Sequence, residues 1–411
     1  LGVPLLLYIH RERCKLAPTH PIELVPKRAK RNIFMPKTIR FSLADQAKFF
    51  PTLRKRVNQH FRNQDIDRNA NSRMYLKTAV MLGLYLIPFV LILCNFLPLW
   101  AVMVSYIVMG IGLVGIGMNI MHDANHGAYS KNPTVNSIFG YTINLVGGNA
   151  FTWKVQHNMM HHTYTNIYGF DEDIEDKPFL RLSPNGKLKA YHRFQHLYAP
   201  ILYSLATVSW ILWKDFIALK GYSKDGKTQA LGSTHNKEFW ILLSTKVAYW
   251  AIFFVLPIML TSYSWSYLLL GFLFMHMTAS MIMTLVFQVA HVVELTDHFQ
   301  PDEQNEVENV WAMHQLATTS DFAQDNKLVS WFLGGLNFQV EHHLFPNICH
   351  VHYPEVAKIV KATAKEFGVP YYEFKTFGGA IKSHFKSLKA LGNNELTAIQ
   401  LPKTSEAAII K

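Results

Sequence analysis

Three histidine clusters hold the residues best suited to chemistry: His122-Asp-Ala-Asn-His126, His157-Asn-Met-Met-His161-His162 and Gln339-Val-Glu-His342-His343. Imidazole is a good ligand for iron, zinc, copper and nickel. A tetrahedral site takes four ligands and an octahedral one six, whereas the clusters hold seven histidines. Convergence would overfill one metal, so two metals held mainly by nitrogen are expected. Residues four apart on a helix share a face, which lets His122 and His126, and likewise His157 and His161, reach one metal region. His162 lies roughly 100° round from His161 on a helix of about 3.6 residues per turn. Adjacent imidazoles can therefore serve two different metals, and His342-His343 has the same option.

Spacing alone does not select ligands, because His192 and His196 also stand four apart. His10, His20, His60, His235 and His384 lie in polar, basic surroundings and read as surface residues. Replacing His10 or His384 is expected to do little. His276 falls inside an apolar run and reads as a neutral imidazole bonded to a neighbouring helix. His291 closes the fourth apolar run, mirroring His122 at the end of the second, and is expected as a further ligand. His298, His314, His350 and His352 read as outer partners or surface residues. Asp123, Asn125, Asp171, Asp173, Asn337 and Glu341 flank the clusters, and metal-bound imidazoles usually give their other N–H to such groups. The alternative for 171–176 is a solvated acidic loop.

The elements that must position these groups follow from composition. Half the residues are apolar and 17% are charged, against about 25% in ordinary soluble chains. Four runs, 78–95, 99–120, 239–260 with Lys246 inside it, and 267–290, approach the roughly 20 residues needed to span hydrocarbon. Their connectors near 96–98 and 261–266 carry no charge, while lysine and arginine crowd the opposite ends. The fold expected is all-α and integral to a membrane: four transmembrane helices in two hairpins with a cytosolic helical cap. The positive-inside bias puts both termini and 121–238 in the cytosol. Uncharged 138–153 is rich in Gly and Asn, and 198–213 is short and contains Pro200. Both are placed at the interface, since a single extra crossing would separate the third cluster from the others. The net charge is +12, with Lys27, Arg28, Lys30 and Arg31 ahead of the first run. Anionic lipid explains that arm better than nucleic acid. Cys14, Cys94 and Cys349 form no pattern, which fits a reducing compartment. No secretory signal, Walker loop, GxGxxG or nucleophile elbow is found.

At the three boxes the chain resembles the membrane fatty-acid desaturase and hydroxylase superfamily. Gln339 opening the third box, with Gly334-Gly335-Leu336-Asn337 before it and Leu344-Phe345-Pro346 after it, looks like the front-end desaturases. The stretch Trp311-Ala-Met-His314-Gln and the acidic Asp171-Glu-Asp-Ile add to the likeness. The resemblance covers about 45–390 and divides the chain into a flexible basic arm 1–44, a membrane desaturase domain 45–390 and a loose tail 391–411. It implies two non-haem iron ions on His122, His126, His157, His161, His162, His291, His342 and His343, with O2 as co-substrate. Gln339 stands where many relatives have a histidine, to bind weakly, orient a water or shape the substrate channel. The implied substrate is a fatty acyl chain on CoA or lipid, acquiring a cis double bond. No His-Pro-Gly-Gly haem motif is present, so a separate donor is expected, cytochrome b5 or a ferredoxin with its reductase. The membrane would be the bacterial cytoplasmic membrane or the endoplasmic reticulum. A hydroxylase of the same superfamily is the rival enzyme. A non-catalytic metal-binding or transport protein is the rival outside catalysis, though transporters tend to hold polar groups near the midplane and these histidines sit at span ends.

Overall fold

Each apolar run becomes one long helix in the computed structural model, which describes residues 40–41, 48–301, 306–307, 310–396 and 399–400. His10, His20 and Cys14 lie outside the described residues. An amphipathic helix, α1 (Phe49–Asn63), comes first. α2 (Ser72–Leu93) opens on Asn71, whose side chain accepts from the N–H groups of Arg73 and Met74, donors that a helix start otherwise leaves free. α3 (Leu99–Asn125) follows Pro98. α4 (His235–Leu260) opens on the Thr234 hydroxyl, which accepts from Lys237 N–H. α5 (Trp265–His291) is the fourth. All four are long and apolar enough to cross a membrane; each runs past its expected segment at one end or both, while α2 stops at Leu93, two residues short of the expected 95.

Close approach between these helices depends on missing side chains. A Cβ on Gly112 of α3 would stand 2.6 Å from the backbone of Tyr85 on α2, and one on Gly110 would stand 2.5 Å from the Met275 carbonyl on α5. Tyr85, Tyr106, Met109, Leu113, Phe272 and Met275 fill the space so defined. The outward faces carry Leu76, Ile87, Val90, Val247, Val255 and Met259, all exposed, as suits contact with lipid rather than water.

Neither ambiguous segment forms a fifth straight span. The first breaks into Pro133–Gly140, Thr142–Leu145 and Ala150–Trp153. Gly147 lies between the last two with φ of 86°, a left-handed conformation that glycine adopts without penalty. The second forms Ala190–Tyr203 and Ala206–Lys224, bent by 64° where they meet.

Beyond α5 the chain forms three further helices of note: α6 (Gln339–Leu344), α7 (Tyr353–Phe367) and α8 (Phe377–Gly392). The expectation of an all-helical fold needs one correction. Arg40–Phe41 pairs with Glu306–Val307, Phe299–Gln300 with Ile399–Gln400, and Ser320–Phe322 with Tyr372–Phe374, each in parallel. Strands of two or three residues are too short to show alternation in a sequence.

His384 corrects a second expectation. It is fully buried, not a surface residue: Nδ1 donates to the Val292 carbonyl at 2.8 Å and Nε2 lies 2.8 Å from the Tyr203 hydroxyl. Burial pushes it down to about 4, the Val292 bond only partly opposing, from an unfolded value near 6.5. Between those values the unfolded chain holds a proton that the folded chain refuses. This contribution to stability is intact above about pH 6.5 and is lost as pH falls toward 4, by about 3 kcal/mol at full extent. Thermal midpoints in detergent should fall over that window, and His384→Gln should flatten the slope; an unchanged slope would refute the assignment.

Candidate metal centre

The first cluster rides on the end of α3, where Ile116–Met121 winds as a π-helix before His122–Asn125 returns to α geometry. The second lies on another π-helix, Lys154–His161. The 3.6-residue geometry assumed from the sequence therefore does not hold for the second box. Its wider turn leaves His157 and His161 stacked at 18° with centroids 5.4 Å apart. Such π-turns occur often at functional sites. α6 carries the third cluster, and α5 ends on His291.

These four elements bring all eight named histidines together. Ligand-capable nitrogens of His122, His126, His157 and His342 lie within 4.8 Å of one another, as do those of His161, His291 and His343, and of His162, His342 and His343. His342 and His343 join the groups into one patch. His162 Nε2 is 3.1 Å from His157 Nε2. The control pair behaves otherwise: His192 takes its Nδ1 to Lys189 N–H, outside the patch.

Hydrogen-bond accounting tests whether a metal fits. His161 Nδ1 meets Asp171 Oδ2 at 3.1 Å, His291 Nδ1 meets the Thr318 carbonyl at 3.1 Å, His343 Nδ1 meets Gln315 Oε1 at 2.8 Å, and His342 Nδ1 meets the Tyr353 hydroxyl at 3.3 Å. The Nε2 atoms of those same four rings are buried without a partner, as are His126 Nε2 and both nitrogens of His122. Each such orphan costs about 1–3 kcal/mol if left unmade. A proton on Nδ1 leaves the Nε2 lone pair free, and two cations in the patch would give these Nε2 atoms the partners they lack. Burial pushes His157, His162, His342 and His343 well below the ordinary histidine value, and neighbouring imidazoles push the same way. They are thus neutral, the state that binds metal. Burial would lower His161 too, but ionised Asp171 overrides it.

Several outer partners match the sequence reading. Asp171 is buried rather than part of a solvated loop, and accepts from Asn166 N–H and Asp173 N–H as well as His161. Asp123 accepts from both N–H groups of His350, and His350 Nε2 lies 2.8 Å from Lys77 Nζ. His276 sits between the Thr207 and Tyr249 hydroxyls, bonded to neighbouring segments as expected. Gln339 is buried at the first turn of α6, and its side chain makes no hydrogen bond among the described residues.

Other contributors escaped the sequence. Gln315 turns its carbonyl to both His343 and Thr165. Asp321 accepts from Val340 N–H at 2.8 Å and from the Tyr371 hydroxyl, which also reaches Glu341 at 3.0 Å, pinning the start of α6. Trp153 packs on His157 at 4.4 Å. Asp171→Ala should lower metal affinity by about 10- to 100-fold with the fold retained, read by chelator competition; unchanged affinity would show that Asp171 does not orient His161.

Known proteins resemble this chain over most of its length. The sequence model of the fatty acid desaturase family matches residues 98–375. The chain is 35% identical over 364 residues to the sn-1 linoleoyl-lipid 6-desaturase of Arthrospira platensis, covering 86% of this chain and 95% of that one. It is 37% identical over 358 residues to the protein of the same name from Synechocystis sp., covering 86% and 98%. Against the acyl-lipid (8-3)-desaturase of Physcomitrium patens it is 34% identical over 387 residues, covering 91% and 77%. With four membrane-length apolar helices and this histidine patch, the chain belongs to the fatty acid desaturase family and is an integral membrane oxidoreductase that desaturates fatty acyl chains.

Proposed function

We propose that the patch holds two non-haem iron ions on His122, His126, His157, His161, His162, His291, His342 and His343, and that the substrate is an acyl chain esterified in a lipid. The observation carrying the metal reading is the convergence of buried, unpartnered ring nitrogens from four separate elements. The relatives named as acyl-lipid and linoleoyl-lipid desaturases support the lipid-linked carrier, and their 6- and (8-3)- designations support a double bond toward the carboxyl end. The helices then form two membrane hairpins, α2–α3 and α4–α5, with both termini and a helical cap on the cytosolic side, as the charge bias supports.

The reaction converts CH2–CH2 to CH=CH with O2, two electrons and two protons, giving two waters. An unactivated methylene has no polar handle, so bound iron supplies the O2 chemistry and the protein supplies position. The imidazoles hold the metals, while Asp171, Gln315, Tyr353 and the Thr318 carbonyl fix ring orientation. Gln339 is assigned to shaping the space beside the patch. Arm 1–44 and tail 391–411 flank the catalytic domain 45–390.

Heterologous expression in a host that makes linoleoyl lipids, followed by lipid mass spectrometry, tests the reading. A product two mass units lighter, unsaturated at C6 and still lipid-linked, is expected. A gain of sixteen would make the enzyme a hydroxylase, and products confined to acyl-CoA would overturn the carrier.

A further inference from the structure

Helix α1 presents a cationic face over the flank of the third box. Its sequence, FFPTLRKRVNQHFRN, contains four Arg or Lys residues and no carboxylate. Arg56 pairs with Glu366 at 2.7 Å, but Arg54, Lys55 and Arg62 have no ion-pair partner among the described residues and share one side of the helix with Asn58 and Gln59. The opposite face, Phe49, Leu53, Val57 and Phe61, packs into one apolar cluster with α7 and with Val340, Leu344 and Phe345 around the third box. The apolar face is therefore held against the outer wall of the histidine patch, and the cationic face is turned outward.

A short line of rings runs inward from there. Phe50 on α1 packs edge-on against Trp311 at 5.5 Å and lies 5.9 Å from Phe345. Trp311 donates its indole N–H to the His162 carbonyl at 3.1 Å. Phe50 and Trp311 are both half-buried, so the line starts at the surface and ends on the backbone of a histidine of the patch.

We propose that the α1 face is the docking surface for a small acidic one-electron carrier protein, and that Trp311 is the entry point of the electron. In each encounter the reduced carrier loses one electron and the metal centre gains one; two encounters supply the two electrons of a turnover. Unpaired cations steer an acidic partner and raise its association rate, by about 10- to 1,000-fold in focused fields. Redox encounters of this kind are small and transient, below about 1,200 Å2, and a single helix face suits that size. An anionic membrane surface is the other occupant such cations attract. The ring line argues for the carrier, because lipid contact has no use for a half-buried Phe–Trp path to His162.

The inference rests on the reading that a separate protein supplies electrons. The full chain in nanodiscs would be titrated with a reduced, acidic [2Fe–2S] ferredoxin and, in a parallel arm, with soluble cytochrome b5. Binding is read first on metal-free protein, which keeps this test distinct from failure of the iron assignment. The triple variant Arg54→Glu/Lys55→Glu/Arg62→Glu should slow carrier association at least 10-fold at low salt and flatten its salt dependence, with thermal midpoint and dithionite-driven turnover unchanged. Trp311→Leu should leave carrier binding intact but slow carrier oxidation, followed at the carrier's own absorbance. Trp311→Phe, which keeps a ring but loses the bond to His162, should recover only part of that rate. Unchanged association in the triple variant, with loss of binding to phosphatidylglycerol vesicles instead, would make α1 a lipid-contact helix and overturn the proposal. Carrier oxidation as fast in Trp311→Leu as in the unaltered protein would show that the electron does not enter at Trp311.

Discussion

Alanine at His343, His161 or His122 is expected to abolish desaturation while the protein still inserts and folds. His343 shows why. Its Nδ1 is held by Gln315, its Nε2 is buried without a partner, and its nitrogens lie within 4.8 Å of those of His161 and His291 in one group and of His162 and His342 in the other. Truncation removes a donor where both groups meet. Loss of an outer partner costs about 10- to 100-fold in metal affinity or activity, and loss of a ligand itself should exceed that. The fold should tolerate the change, because truncation also removes a buried ring nitrogen that the metal-free chain leaves unsatisfied. Lipid products by mass spectrometry, iron per chain and the thermal midpoint of the metal-free protein would be measured together. Retained turnover in any of the three variants would break the ligand assignment for that residue.

The ease with which this patch was read from the sequence has a physical cause. The histidines of the three boxes are of one chemical type and closely spaced along the chain, so local spacing exposes them. His291 needed position as well as type, since it stands alone at the end of a span. The membrane helices were legible for a similar reason: hydrocarbon demands about 20 apolar residues in a row. The partners that aim the rings obey no local rule. Gln315 lies 28 residues from His343, and Tyr371 lies 50 from Asp321. Any carbonyl or hydroxyl delivered by tertiary packing could serve, so no pattern marks the one that does.

His384 is a different kind of miss. Lys382 and Lys386 beside it suggested a surface, yet Ala380, Ser387, Leu388 and Leu391 are buried with it. Spacings of three and four among those residues define an inward stripe on α8, so helical period was the better guide than local charge. The π-turns at Ile116–Met121 and Lys154–His161 were hidden because apolar periodicity over six to eight residues cannot separate one helical pitch from another.

Lys246 lies within the apolar run that becomes α4, and its environment leads to the second large effect. The ammonium is 2.6 Å from Asp215 Oδ2, 2.6 Å from the Gly147 carbonyl and 2.7 Å from the Trp210 carbonyl. Asp215 in turn accepts from the Thr152 hydroxyl at 3.0 Å. The side chains are only 5% and 10% exposed, so water cannot replace a lost partner. Asp215→Leu should therefore destabilise the protein by about 3–5 kcal/mol, the cost of stranding a buried charge. Replacing both members, Asp215→Leu with Lys246→Met, should recover most of that loss, because the desolvation penalty goes with the charges. The left-handed Gly147 turn and Thr152 lie just ahead of the π-helix bearing His157 and His161. The single variant should consequently lose activity beyond its fall in folded yield, through loosening of the second box. Thermal midpoints in detergent for the two singles and the double close the cycle. A single-variant change within about 0.5 kcal/mol, the range of ordinary surface substitutions, would mean that the pair contributes nothing to holding α4 against the segment that carries the second box.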